Sequence, residues 1–336
     1  MSPRAQRLVV IAALYALAAL PVTFFFVTHP GLTGHPRADF GDMIDGTASR
    51  PYVTRALVSF VVRSITAVTP APAREAVEAG LRGRRMVEIF GWEDGRLFEY
   101  AAASLVFVGC FVGFGLALRR LAAALYGFSR GFRDLSPLVA YAVLPLFFRY
   151  YSYPYDPATL LLFSWGLAAI VAERPREFLF ALMLAALNKE TSLLLVALYG
   201  LHRHLRGSRG VWAQTGAFLL VWAAIRFVLG LAFRDRPGAV VETHLDHSLW
   251  LFTEFPGRLF YALAVVGLLA AAVAPGWRDK PRFLRLGLVV TLLPLVGAGL
   301  LFGYADELRG YYEAFPFVFL LALPTIEREP GPAGDP

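Results

Sequence analysis

Apolar runs of membrane-spanning length constrain the fold of this chain more than any other feature. The first run extends from Leu8 to Thr28, and a helix of that length covers about 30 Å, one hydrocarbon thickness. It follows Arg4 and Arg7, is too long for the apolar core of a secretory signal, and lacks a small-residue cleavage pattern. We therefore expect an uncleaved first span whose basic end lies in the cytoplasm.

The composition also favours a membrane location. Of the 336 residues, 57% are hydrophobic and 17% are charged, whereas a soluble domain is about 45–50% apolar and about 25% charged. The net charge of +7 comes from short basic clusters between apolar runs, a pattern that indicates membrane orientation and argues against nucleic acid as a partner. The single cysteine, Cys110, excludes an intramolecular disulfide. The lipid bilayer is the expected partner.

The hydropathy pattern predicts an all-α, polytopic transmembrane helix bundle that forms one domain over residues 1–329, followed by a disordered tail at 330–336. Residues 29–98, which we name the first outer segment, contain helical stretches at 53–69 and 72–90 that we expect to lie in the membrane interface. A short true span is the alternative for 53–69. The eight expected full spans are 8–28, 99–118, 134–150, 157–172, 211–233, 258–275, 283–303 and 314–326.

Residues 178–201 require a different element. A single span there would place Arg206 and the later basic cluster at 278–285 outside the cell. A hairpin of short helices, rising over 178–188 and returning over 191–201, keeps both clusters inside. Such a broken element is tolerated where protein or a wet cavity surrounds it. We therefore expect a multi-pass protein of the cell membrane with both termini in the cytoplasm.

The apex of this hairpin carries the most unusual polar residues of the chain. Asparagine occurs only at Asn188 and lysine only at Lys189 and Lys280, yet the first two are adjacent and Glu190 follows them. Ionisable groups at bilayer depth are costly and usually line a path or a site. We expect Asn188, Lys189 and Glu190 to bind substrate. The alternative is a satisfied polar knot between short helices, with Arg149 as a partner.

Other loops on the predicted outer side supply further candidates. Asp39, Asp42 and Asp45 recur at every third residue, and carboxylates at a membrane surface can act as a general base or bind a metal. We expect one of them to be catalytic, with Asp42 the first choice; an Asp-Gly turn is the structural alternative. No cofactor is predicted, and a divalent metal and the oligomeric state stay open. The remaining predicted substrate-binding residues are Tyr155, Asp156, Glu307 and Arg309.

The order of these features resembles the GT-C superfamily of membrane glycosyltransferases. The resemblance rests on the uncleaved first span, the acidic first outer segment with interfacial helices, and outward-facing polar groups among many spans. The family's acidic residue falls on Asp42 or its neighbours. Its lysine-bearing short-helix segment resembles the run from Asn188 to Thr191, and its late arginine resembles Arg309, which precedes Pro316. The acidic pattern here is Asp-x-x-Asp-x-x-Asp, where the family has Asp-Asp or Asp-x-Asp.

The resemblance implies transfer of a sugar from a polyprenyl-phosphate carrier to an acceptor on the non-cytoplasmic side. Asp42 would take the proton of the acceptor hydroxyl, and Lys189 and Arg309 would stabilise the charge on the departing phosphate. Attack from the opposite face would invert the anomeric centre. Two alternatives remain open: a transporter or channel, which broken helices and intramembrane charge suit, and a non-catalytic membrane subunit that binds lipid or a partner protein.

Overall fold

The structure, a computed structural model, describes residues 2–28, 32–148, 151–239, 243–254, 256–304 and 306–327. Arg149 and the predicted tail at 330–336 lie outside these ranges. Within them the chain is all-α and has no strand. The α-helices are α1 (Pro3–Val27), α2 (Phe40–Asp45), α3 (Leu57–Val68), α4 (Ala71–Leu81), α5 (Arg85–Phe90), α6 (Leu97–Leu125), α7 (Arg130–Leu135), α8 (Pro137–Val143), α9 (Asp156–Val171), α10 (Pro175–Asn188), α11 (Leu193–Leu205), α12 (Val211–Ala232), α13 (Leu245–Thr253), α14 (Pro256–Val273), α15 (Arg282–Phe302) and α16 (Phe315–Glu327).

Four helices in the described part of the chain are long and apolar enough to cross a membrane: α1, α6, α12 and α15. The consecutive helices α13 and α14 make a fifth candidate if they are counted as one bent span. These helices support a membrane-embedded, all-helical protein. The number is smaller than the eight full spans that the hydropathy pattern predicts.

The predicted span at 134–150 is wrong as one helix. Its described part is divided among the end of α7, the seven-residue α8 and a 3-10 turn at Leu144–Phe147. Pro137 and Pro145 each stand at the start of a new helical piece, because proline has no N–H to continue the preceding helix. The predictions at 157–172 and 314–326 correspond to helices of 16 and 13 residues, shorter than a full span.

The first outer segment contains four short helices, α2 to α5, among its described residues. Gly46 and Gly91 end α2 and α5 in the left-handed region, at φ 72° and 63°, where glycine has no steric penalty. The predicted stretch 72–90 is divided into α4 and α5 by a turn at Gly83, which also has a positive φ, of 70°. In α3 the apolar side chains of Phe60 and Val68 are exposed while Val62 is buried, an arrangement that suits a helix lying in the interface.

The central helix is α6, which packs against α1, α3 and α9. Its Phe107, Phe111 and Phe114 are fully buried. At Gly115 the absence of a side chain permits close approach of the Tyr141 hydroxyl, which donates a 2.7 Å hydrogen bond to the Phe111 carbonyl. This aromatic core fixes the helices that carry the polar cluster described below.

Helices α10 and α11 run in opposite directions, the arrangement that a hairpin over 178–201 requires. Glu173, just before α10, lies 3.7 Å from Arg203 and 3.6 Å from Arg206, at the end of α11. Phe178, near the start of α10, stacks on Tyr199 with ring centroids 4.9 Å apart. The start of α10 and the end of α11 are thus adjacent, and the turn between them forms the opposite end.

Basic residues of several helices meet at this end of the bundle, away from the hairpin apex. Arg120, near the end of α6, forms an ion pair with Glu177 at the start of α10. Asp134 accepts hydrogen bonds from Arg7 of α1 and, at 2.6 Å, from Arg119 of α6. Arg7 and Arg206, which the sequence predicts to be cytoplasmic, therefore lie at one end of the bundle, and the apex lies at the other.

Candidate functional site

The hairpin apex is held in place by the only asparagine of the chain. Asn188 is the last residue of α10, and Lys189 follows in an extended conformation that breaks the helix. The Asn188 amide nitrogen donates to the Tyr155 carbonyl and to the Thr159 hydroxyl, both at 2.9 Å. Asparagine, threonine and serine compete with the helix for backbone-type hydrogen bonds. In the turn at residues 188–192 the Ser192 hydroxyl makes such a bond, to the Lys189 carbonyl at 2.7 Å.

Lys189 forms a buried ion pair with the segment that precedes α16. Its Nζ lies 3.0 Å from Glu313 Oε1, and the two side chains are 9% and 1% exposed. The Thr191 hydroxyl donates to the same oxygen. The polar-knot alternative predicts a buried partner for Lys189, and Glu313 is that partner. Lys189 therefore joins the hairpin to the loop between α15 and α16.

Glu190 is bound by two arginines from distant parts of the chain. Arg55 makes two hydrogen bonds to its carboxylate, one of them from Nε at 3.2 Å, and Arg226 of α12 lies 3.6 Å from it. The arginine side chains are 12% and 16% exposed, whereas Glu190 is 38% exposed. The carboxylate is thus the accessible member of this group of three residues.

Arg226 is held by more than its charge. It donates to the carbonyls of Thr54 and Ala186, both at 3.2 Å, and to the Thr54 hydroxyl at 3.1 Å. Our sequence analysis did not select Arg226. The sequence feature that could have identified it is its position inside the apolar run 211–233, because a charged residue at membrane depth usually indicates a functional site.

Three tyrosines from two loops form a stacked column beside the apex. Tyr153 lies between Tyr52 and Tyr155, with centroid separations of 5.4 Å on each side. Arg309 lies 4.0 Å above the Tyr153 ring and Arg55 lies 4.6 Å from the Tyr155 ring. These distances are typical of cation–π pairs. Tyr153 and Tyr155 are buried within protein, at 2% and 0% exposure, so they serve the cluster and do not form a lipid-facing belt.

The loop between α15 and α16 completes the cluster. Arg309 donates a 2.5 Å hydrogen bond to Glu307. Asp156 is buried, accepts a hydrogen bond from the Tyr153 backbone N–H at 3.2 Å, and interacts electrostatically with Arg309 and Lys189. The structure therefore brings all seven predicted substrate-binding residues into one cluster: Asn188, Lys189, Glu190, Tyr155, Asp156, Glu307 and Arg309.

The three aspartates of the first outer segment have different local roles. Asp39 caps α2 by accepting the Gly41 N–H at 2.8 Å, and Asp45 forms an ion pair with Arg96. The Asp42 carboxylate is exposed and accepts the Thr47 hydroxyl at 3.1 Å. Among the described residues Asp42 has no ion-pair partner. The structure records no contact between these aspartates and the hairpin apex, so it leaves the predicted catalytic group outside the cluster.

His35 connects the first outer segment to the tyrosine column, and our sequence analysis missed it. Its ring centroid lies 4.9 Å from that of Tyr151 and 5.5 Å from those of Tyr52 and Tyr153. Burial, followed by the nearby charge of Arg309, lowers the pKa of His35 below its usual value. A lone histidine in a polar loop carries no periodic signal, so its partners appear only in the fold.

A small polar cavity lies under the apex. It has a volume of about 10 Å³ and is lined by Lys189, Glu313, Asn188 and Thr159, among others. Glu313 Oε2 and Asn188 Oδ1 are buried there without a hydrogen-bond partner among the described residues. A space of that size holds about one water molecule. The cavity therefore belongs to the support of the apex and does not have room for a sugar.

Comparisons with protein-family models, with curated proteins and with solved structures give no match. Among the described residues, no group of three or more histidine, cysteine, aspartate or glutamate side chains is arranged to hold a metal ion.

Proposed function

We propose that the chain is a multi-pass membrane glycosyltransferase that moves a sugar from a polyprenyl-phosphate carrier to an acceptor on the non-cytoplasmic side. One observation carries this proposal: the first outer segment, the loop before α9, the hairpin apex and the loop before α16 all deliver charged or aromatic side chains to one end of the bundle. Buried charges gathered from separate segments are typical of a functional site in a membrane protein.

In this proposal Asp42 is the base, and it acts from outside the cluster at the hairpin apex. The α2 helix that carries it ends at Gly46, where a Cβ atom would lie 3.5 Å from Phe233, at the end of α12. The same region is tied down by the Arg50 N–H, which donates to the Pro237 carbonyl at 2.8 Å. Asp42 thus lies on a helix next to the end of the one that carries Arg226.

The chemistry follows from these positions. Asp42 would accept the proton of the acceptor hydroxyl as that oxygen attacks the anomeric carbon, while the bond to the carrier phosphate breaks and the phosphate takes the electron pair. The new bond forms on the face opposite to the broken one, so the anomeric configuration inverts. Lys189 and Arg309 already have carboxylate partners at 3.0 Å and 2.5 Å. In this proposal they hold the apex and the last loop in place.

Turnover by membranes that contain the chain, supplied with polyprenyl-phosphate-linked sugars, tests the proposal. Asp42→Asn is expected to lower the rate about 10²–10⁴-fold, the usual contribution of a general base. Asp45→Asn is the matched control, because Asp45 is held by Arg96 and should retain most of the rate. Turnover that is unchanged in Asp42→Asn would exclude this carboxylate as the base. Sugar-dependent flux without a covalent product would instead favour a transporter.

A further inference from the structure

The arginine pair at Glu190 differs from the other cationic groups of the cluster in its accessibility. The Lys189–Glu313 pair is at most 9% exposed, and the Arg309–Glu307 pair is at most 14% exposed. Glu190, between Arg55 and Arg226, is 38% exposed. An incoming anion can therefore reach these two arginines by replacing one accessible carboxylate, without opening a buried pair.

The two guanidinium groups are already arranged for an oxyanion. Arg55 donates two N–H groups to the Glu190 carboxylate in the two-point geometry that guanidinium adopts with carboxylates and phosphates, and Arg226 Nη2 lies 3.6 Å from Glu190 Oε2. Each side chain is also fixed by neighbours: Arg55 donates to the Tyr155 hydroxyl and Arg226 to Thr54. Donors held in place in this way lose little entropy when they bind a ligand.

The helix that carries Arg226 exposes a large apolar surface beside this pair. Only 6% of the most apolar window of α12 is buried in protein, and the residues that follow Arg226, namely Phe227 and Val228, are 67% and 61% exposed. Arg226 stands six residues before the end of α12 at Ala232, which places it about 9 Å along the axis from that end. This depth suits the phosphate of a lipid whose chain lies along the exposed face of α12.

We propose that Arg55 and Arg226 form a binding site for the phosphate of a prenyl-phosphate lipid, and that Glu190 occupies this site until the ligand displaces it. The identity of the lipid rests on the proposed function, whereas the anion site rests on the geometry of the three residues. The phosphate would exchange with the Glu190 carboxylate, whose side chain is 38% exposed. No covalent bond changes in this step.

The test measures binding of a fifteen-carbon prenyl monophosphate to the full chain in lipid nanodiscs. Glu190→Gln removes the competing negative charge and is expected to tighten binding about 10-fold, which corresponds to about 1.4 kcal/mol. Arg226→Gln is expected to weaken binding at least about 10-fold. Arg234→Gln is the matched control: its side chain is 68% exposed just beyond α12, and binding should not change.

Two competitors distinguish the source of the phosphate. Uncharged prenol should compete poorly if the arginines recognise the anion, and inorganic phosphate should compete poorly if the prenyl chain lies along α12. Equal affinity for inorganic phosphate would overturn the lipid part of the proposal. Should Arg226→Gln fail to fold, Glu190→Gln still decides, because unchanged or weaker binding in that variant contradicts displacement of Glu190. Binding with the expected pattern but no sugar transfer would retain this site and reject the glycosyltransferase.

Discussion

Loss of the positive charge at Lys189 is expected to destabilise the hairpin apex strongly. Lys189 Nζ lies 3.0 Å from Glu313 Oε1, and the side chains are 9% and 1% exposed. Lys189→Met keeps the length of the side chain but leaves the Glu313 carboxylate buried without its cation. Breaking a buried pair in this way costs about 3–5 kcal/mol. The free energy of unfolding should fall by that amount.

The double variant Lys189→Met with Glu313→Leu separates the pair from the burial of its members. Replacing both partners of a buried ion pair by apolar residues is often nearly neutral. Here the Thr191 hydroxyl also loses its acceptor, so we expect a remaining cost of about 1–3 kcal/mol. The two single variants should therefore not be additive, and the double variant should be more stable than Lys189→Met.

Thermal unfolding in detergent, followed by a thiol-reactive fluorogenic dye, measures these differences, because Cys110 is the single cysteine and is buried. At roughly 2 °C per kcal/mol for a large domain, Lys189→Met should lower the midpoint by about 6–10 °C. Asp45→Asn is the control: Asp45 is 46% exposed, and an exposed pair contributes only about 0–1 kcal/mol. A shift below about 2 °C in Lys189→Met, or additive effects in the double variant, would refute the reasoning.

Three further predictions address packing, pH and topology. Gly115→Ala should lower the free energy of unfolding by about 1–3 kcal/mol, since its methyl group would meet a buried tyrosine hydroxyl. Gly109→Ala is the control: it has open space around it and should be neutral or stabilising in tryptophan-fluorescence melts. Equal shifts of the melting midpoint in the two variants would contradict the prediction. Burial and nearby arginines lower the pKa of His35, so the free energy of unfolding should decline as the pH falls below about 6.5. His35→Gln should reduce that decline. Parallel plots of stability against pH for the two proteins would contradict this role of His35. Cysteines placed at Asp42 and Arg206 in a cysteine-free chain should react with an impermeant maleimide from opposite sides of sealed vesicles. Labelling of both from the same side would contradict the predicted topology.

The long apolar helices were predictable because their signal is local. The predicted stretches 211–233 and 283–303 correspond to Val211–Ala232 and Arg282–Phe302 within one residue at each end. The hairpin was predictable for a different reason: only a fold-back keeps the basic clusters on one side. The failure at 134–150 came from a run that is largely apolar but contains two prolines, so its hydropathy predicted more helix than its backbone can form.

The partners within the site were not predictable, because they are far apart along the chain. Glu190 and its partner Arg55 are 135 residues apart, and Thr191 is 122 residues from Glu313. The rarity of asparagine and lysine in this chain identified residues 188 and 189, which lie in the cluster. It did not show that Lys189 is enclosed by Glu313, and this enclosure moves the proposed phosphate contact from Lys189 to the arginines at Glu190.

Inversion requires that the base and the departing phosphate lie on opposite sides of the sugar. In the proposed function the carrier would reach Arg226 from the exposed face of α12, whereas the acceptor would approach Asp42 on α2, which lies next to the end of the same helix. From residue 226 to residue 233 the helix axis rises about 10 Å, and the sugar would have to lie between the two groups. The apex below is closed by its ion pairs. The accessible side of Glu190 is therefore where this reaction would have to take place.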